Sequence, residues 1–230
     1  MLKAVLFDWN YTLVDFTWDD ELLAAGHRAG LATLGREDEA DAYTERFRTD
    51  VLPAMAPGDD YRGLLRTLLG DVSDDDIDRF LEAEHDAWRP ASALLGTAHA
   101  LLDALRERGL KTGLVANAWP EPGRLLRKEL RELGLAERLD VVVFSDEVGL
   151  RKPDPAIFLR ALAELGVDPI DAMFVGDKLE VDVQGAADVG MTTVQALWFA
   201  ADDTPTAVEP DFLAFTPMDV LNAVRRLGAD

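Results

Sequence analysis

Cysteine is absent from the 230-residue chain, which excludes disulfides, thiolate metal sites, iron–sulfur clusters and a cysteine nucleophile together. Histidine is nearly absent as well. His27, His85 and His99 share no metal-ligand spacing, so each reads as an ordinary helix residue. Positive charge is scarce: 23 Lys and Arg face 44 Asp and Glu, a net −21, and a field of that sign repels nucleic-acid backbones and anionic membrane surfaces. Long apolar runs are missing too, none approaching the roughly 18 residues of a membrane span. The first run, Ala4 to Phe7, is broken by Asp8 and lacks the basic start and long apolar stretch of a signal peptide. A cytoplasmic protein is expected, with neither nucleic acid nor membrane as partner; no motif distinguishes a monomer from a homodimer.

What remains is enough for a substantial core: 48% of residues are hydrophobic and 29% charged, the balance of a folded domain rather than a disordered chain. From about residue 97 helices and strands alternate. Helices follow Thr97, Pro122, Asp154-Pro155 and Thr216-Pro217, with glycines at 109, 134, 166 and 228 placed to end them. Short apolar strands are expected over 111–116, 140–145, 172–175 and 192–197, a short helix over 181–189, and a further strand over 3–7. Such unalternating strands between helices predict an α/β fold, a doubly wound parallel sheet covered on both faces. Residues 15–93 differ: helical stretches rich in Asp, Glu and Ala, with no strand signal, read as an inserted helical domain. The core is then 1–14 with 94–230. Thr17 and Asp20 are the expected capping pair at the insert's entrance, and Ser73-Asp74-Asp75-Asp76 reads as a helix cap with acids favoured by the helix dipole.

In an open parallel sheet, ligands bind beyond the carboxyl ends of the strands. The polar residues there are Asp8, Asn10 and Thr12 after the first strand, Asn117 after 111–116, and Asp177 and Asp182 after 172–175, with Lys152 ahead of Pro153. Two carboxylates from different strand ends with one lysine are what magnesium-assisted phosphoryl transfer requires, since magnesium takes oxygen ligands and a cation answers charge on the transferring group. Trp9, Trp18 and Trp119 sit near these loops, where substrate contact and core packing are equally expected.

The order of these motifs resembles the haloacid dehalogenase superfamily, in its subgroup with a helical cap after the first motif. Phe7-Asp8-Trp9-Asn10-Tyr11-Thr12-Leu13 is similar to the first motif, Asn117 stands in the second, Lys152-Pro153-Asp154-Pro155 resembles the third, and Gly176-Asp177-Lys178-Leu179-Glu180-Val181-Asp182 the fourth. The resemblance implies a Mg2+-dependent phosphatase acting on a small phosphorylated molecule, with Asp8 as nucleophile forming an aspartyl-phosphate and Lys152 paired with it. It further implies a metal held by Asp8, the Asn10 backbone carbonyl, Asp177 and Asp182, phosphate contacts from Thr12, Asn117, Ala118 and Lys152, and residues 15–93 as the cap. Three positions depart from the family pattern. Asn10 stands where phosphatases of the family carry an acid/base Asp, and a carboxamide exchanges no proton near neutral pH. Ala116 replaces a hydroxyl residue, and Tyr11 replaces a common Gly, which is expected to narrow the entrance or alter the turn. A good leaving group such as an acyl or aryl phosphate, slow turnover, or a non-catalytic phosphate-binding role all accommodate Asn10; hydrolysis of carbon–halogen or carbon–phosphorus bonds through Asp8 is the other enzymatic alternative.

Overall fold

The computed structural model describes residues 1–17, 19–55, 58–199 and 207–228, so Trp18 lies outside the described residues. In chain order the elements are β1 (Ala4–Phe7), β2 (Val14–Phe16), α1 (Asp20–Ala32), α2 (Ala40–Arg46), α3 (Tyr61–Leu69), α4 (Asp74–Trp88), β3 (Ser92–Leu94), α5 (Ala98–Glu107), β4 (Lys111–Ala116), α6 (Gly123–Glu132), β5 (Val141–Phe144), α7 (Ser145–Val148), α8 (Pro155–Leu165), β6 (Ala172–Gly176), α9 (Gly185–Asp188), β7 (Thr192–Ala196), β8 (Phe212–Ala214) and α10 (Pro217–Arg226). They form two compact units: Met1–Asp15 with Leu94–Asn117 and Arg127–Asp230, and Phe16–Ala93 with Ala118–Leu126. Among the described residues no helix is long and apolar enough to cross a membrane.

The first unit is the α/β one. Its parallel sheet runs β5-β4-β1-β6-β7-β8, and every residue of β1 is fully buried. Ala4 and Leu6 point into a cluster with Ile157, Phe158 and Leu162 of α8, while Val5 and Phe7, alternating with them, are buried on the other face. That is why this strand is apolar throughout. The chain builds outward from β1 through β4 to β5, then crosses back to place β6 on the other side of β1. The topological switch therefore falls at the carboxyl end of β1, between those of β4 and β6. Gly109, Gly134 and Gly166 take positive φ, from 65° to 73°, where they end α5, α6 and α8 as their spacing predicts. Asp154 caps α8 through the Ala156 N–H, and Thr216 and Asp219 form a capping box on α10.

The second unit is helical. Along α1, Gly26 and Gly30 let α4 approach: a Cβ on Gly26 would lie 2.2 Å from Trp88 Nε1, and one on Gly30 2.6 Å from the Phe80 ring. Trp88 donates to the Leu22 carbonyl at 3.1 Å. The interior holds polar groups as well. Tyr61 OH donates to Glu84 Oε1 at 2.9 Å, His27 Nδ1 meets Thr44 Oγ1 at 2.9 Å, and His27 Nε2 lies 3.8 Å from Glu84 Oε1. Burial, helped by Arg48, pushes His27 down to about 4, and burial drives Glu84 well above the usual carboxylate range, so burial favours the neutral form of each. Segment 118–126 groups here because His85 pairs with Glu121, Arg124 with Asp78 at 3.0 Å, and Leu125 enters the apolar cluster of Leu23, Phe80 and Trp88.

Several local expectations are corrected. The entrance to α1 is capped by Asp19, which accepts from the Leu22 N–H at 2.7 Å, and not by Thr17 with Asp20. Two strands, β2 and β3, pair as a short ribbon at the ends of the insert; three residues each are too few to show a period. The helix expected over 181–189 is a wider π-type turn over Leu179–Gln184 followed by α9. Ser73 and Asp76 do form a reciprocal capping box on α4. All three histidines lie on helices, but His27 and His85 are buried with polar partners, and His99 Nε2 sits 2.8 Å from the Leu133 carbonyl.

Candidate active site

Asp8 is the first residue past β1, and its N–H continues the ladder by donating to the Val175 carbonyl at 2.9 Å. Asp177 is likewise the first residue past β6. Lys152 arrives from the loop before α8 and is held at its backbone by Asn117: Asn117 Nδ2 donates to the Lys152 carbonyl and the Lys152 N–H donates to Asn117 Oδ1, both at 2.9 Å. The Lys152 ammonium, only 3% exposed as a residue, donates to Asp8 Oδ1 at 2.5 Å and to Asp182 Oδ1 at 2.7 Å. The π-type turn brings Asp182 back over the end of β6, where its Oδ2 accepts from the Lys178 N–H at 3.0 Å. Only glycine at position 176 leaves room for this, because a Cβ there would stand 2.5 Å from the Asp182 side chain.

Three buried carboxylates thus meet one buried ammonium. Burial raises the Asp8 carboxyl to about 6, with Lys152 pulling it down and Asp182 pushing it up. Burial again, then Asp8 and Asp182, raise Asp177 to about 7. Burial disfavours the Lys152 charge, yet Asp182 and Asp8 hold its pKa above the ordinary lysine value. Asp177 Oδ2 makes no hydrogen bond, and Lys178 Nζ stands 3.4 Å away. Asp8, Asp177 and Asp182 each offer a carboxylate oxygen within 4.8 Å of the others. An all-oxygen donor set with surplus negative charge and an unbonded oxygen fits a hard divalent cation such as magnesium.

The structure therefore brings together Asp8, Lys152, Asp177 and Asp182. Asn117 is adjacent and spends its oxygen and one amide hydrogen on the Lys152 backbone. Asn10 is an exposed residue, and Thr12 is fully buried, its hydroxyl unbonded and its carbonyl accepting from Trp198 Nε1 at 2.9 Å. Ala116 ends β4 in the interior, and Ala118 belongs to the segment that groups with the helical unit. Trp9 is buried at 2% exposure, which makes it a packing residue. Tyr11 takes a left-handed backbone, φ 57°, a region that glycine enters most readily. Sequence reasoning overlooked Lys178, whose signal was its place beside Asp177 in a cation-poor chain, and Trp198, which has no local signal.

The family model described as haloacid dehalogenase-like hydrolase matches residues 2–190. Glyceraldehyde 3-phosphate phosphatase of Methanopyrus kandleri is 32% identical, with all of both chains covered. N-acetylmuramic acid 6-phosphate phosphatase of Pseudomonas aeruginosa is 30% identical over all of this chain and 97% of its own. Among solved structures, a HAD phosphatase from Thermococcus onnurineus superposes with a TM-score of 0.69 at 28% identity, covering 100% of this chain and 99% of that one.

Proposed function

Because the chain belongs to the haloacid dehalogenase-like hydrolases, we propose that it is a Mg2+-dependent phosphatase of a small phosphorylated metabolite, with Asp8 as nucleophile. The observation that carries this is the Lys152 ammonium bridging Asp8 and Asp182 beside an Asp177 oxygen that makes no hydrogen bond. Relatives named for a triose phosphate, a sugar-acid phosphate and phosphoglycolate share the phosphate and little else, which supports a site built around the phosphoryl group.

Asp8, Asp177 and the Asn10 backbone carbonyl would hold the magnesium, with Asp182 alongside; when bound it neutralises charge on the transferring phosphoryl group. Lys152 orients the Asp8 carboxylate and supplies positive charge to the phosphoryl oxygens. An Asp8 oxygen attacks phosphorus as the bond to the leaving oxygen breaks, the electron pair departing with that oxygen. Water then attacks the phosphorus of the aspartyl-phosphate, loses its proton to solvent, and releases phosphate with the Asp8 carboxylate restored. Asn10 cannot protonate the leaving oxygen, so substrates whose leaving groups need no proton, acyl and aryl phosphates, are favoured by the roughly 10²–10⁴-fold that acid–base assistance is worth. The helical segment 15–93 is taken as the cap that selects the substrate, and the cytoplasm as the place of action.

The test is phosphate release from acyl, aryl and alkyl phosphates, with magnesium and with chelator. Release should require magnesium, fall to background in Asp8→Asn, and be fastest on acyl and aryl esters. Magnesium-independent release, or equal release by Asp8→Asn, would overturn the reading; no release on any ester would favour a phosphate-binding role.

A further inference from the structure

Two side chains at the edge of the carboxylate cluster have no part in the phosphoryl chemistry. Tyr11 is the one non-glycine with positive φ among the described residues, a backbone region that only glycine enters without steric penalty. Tyr11 lies in the turn between β1 and β2, its N–H donating to the Val14 carbonyl at 2.6 Å, and a residue kept in such a conformation points to a local function. Its half-buried ring lies 5.8 Å from Lys178 Nζ, within the range of a cation–π contact.

Lys178 is one of five lysines in a chain of net charge −21. Its backbone is fixed, because its N–H donates to Asp182 Oδ2 and its carbonyl accepts from the Asp182 N–H at 2.9 Å. Its ammonium is not: the side chain is 49% exposed and reaches only to 3.4 Å from Asp177 Oδ2. Asp8 and Asp182 already have Lys152, and the phosphoryl group would have Lys152 too. An Asp177 engaged by a metal leaves the Lys178 charge without its present partner. A second cation on a flexible stem, steadied by an aromatic face, then stands half-exposed beside the cluster, inside a field that otherwise repels anions.

We propose that Lys178, positioned by Tyr11, is a specificity-determining residue that selects phosphate esters whose leaving group carries a second anion, a carboxylate or another phosphate, close to the phosphoryl group. This rests on the phosphatase reading above. A purely structural Lys178 would balance Asp177 and treat all esters alike.

3-Phosphoglycerate and glycerol 3-phosphate make a matched pair, differing by a carboxylate in place of a hydroxymethyl group. The wild type should show the higher kcat/KM on the carboxylate ester. In Lys178→Met that ratio should fall about tenfold, and in Lys178→Arg it should recover; Tyr11→Gly should lower it less than Lys178→Met. Calorimetric Kd values for the same two esters on Asp8→Asn, with and without Lys178→Met, should show the same loss of preference without turnover. A ratio unchanged by Lys178→Met, whatever the absolute rates, or a wild type with no preference for the carboxylate ester in both assays, would overturn the proposal. Should neither alkyl ester turn over, the phosphatase reading is judged on the acyl and aryl esters, and the Kd ratio alone decides for or against Lys178.

Discussion

Truncating Asn117 to alanine tests how Lys152 is held. The wild-type carboxamide makes two hydrogen bonds to the Lys152 backbone, each 2.9 Å, and each is worth about 1 kcal/mol net. Alanine also leaves the Lys152 N–H and carbonyl without these partners in a site where Lys152 is 3% exposed, and an unsatisfied buried group costs about 1–3 kcal/mol. Partial refilling by water trims the sum, so a loss of about 2–4 kcal/mol is expected for the α/β unit. Equilibrium urea unfolding, followed by circular dichroism and tryptophan fluorescence so that separate transitions of the two units show, should register a midpoint lower by about 1 M. Because the Lys152 ammonium is aimed through that backbone, kcat/KM on an aryl phosphate should fall by about 10²-fold, the cost of misplacing a group near the chemistry by about 1 Å. If Asn117 were instead chiefly a phosphate contact, inorganic phosphate would bind more weakly and the urea midpoint would stay where it is. That combination would refute the clamp.

In the helical unit, Glu84→Gln leaves His27 as the titrating member of the buried cluster. Its folded value of about 4 lies below 6.5, so the unfolded chain binds the extra proton and stability should fall by about 3 kcal/mol as pH drops through that window. His27→Gln reverses the slope, since Glu84 keeps its proton when folded and releases it when unfolded; the wild type, in which the two proton counts offset, should be the flattest of the three in urea unfolding between pH 4.5 and 6.5. Gly176→Ala places a Cβ 2.5 Å from Asp182 and should cost about 1–3 kcal/mol of stability. It should also weaken magnesium binding measured by calorimetry; unchanged binding would remove Asp182 from the metal's surroundings.

Local signals made the frame of this molecule legible. The unbroken apolar run of β1 ending at Asp8 and the left-handed glycines after α5 and α8 depend on residues close in sequence, and so does the Ser73 cap. Asp8, Asp177 and Asp182 followed from one rule, that polar residues at the ends of parallel strands converge; Lys152 was placed with them by the resemblance of Lys152-Pro153-Asp154-Pro155 to the third motif. Contacts made across the fold were not legible. A carboxamide at a strand end has the same signature whether it meets a phosphate or clamps Lys152, and the Trp198 bond to Thr12 joins residues 186 apart. The grouping of 118–126 with the helices depends on His85 and Glu121, 36 residues apart. The wide turn at 179–184 reads like an ordinary helix because its apolar spacing is too short to separate the two.

The three departures from the family pattern have different physical weights. Tyr11 has a left-handed backbone, a region glycine also enters readily, and Asn10 would meet the metal through a backbone oxygen that any residue supplies. Ala116 removes one hydroxyl donor, while Lys152 and its two carboxylate partners stay in place. What Asn10 does remove is a proton donor at the leaving oxygen, since its carboxamide titrates nowhere near neutral pH. On the proposed function, the groups that would bind and attack a phosphoryl group stay in place and the means of protonating a poor leaving group is lost. Turnover should therefore track the basicity of the leaving oxygen: across a series of aryl phosphates, the logarithm of kcat/KM should fall steeply as leaving-group pKa rises. A flat dependence, with chemistry shown to be rate-limiting by burst kinetics, would mean that another group supplies the proton and that Asn10 is not the cause of any preference.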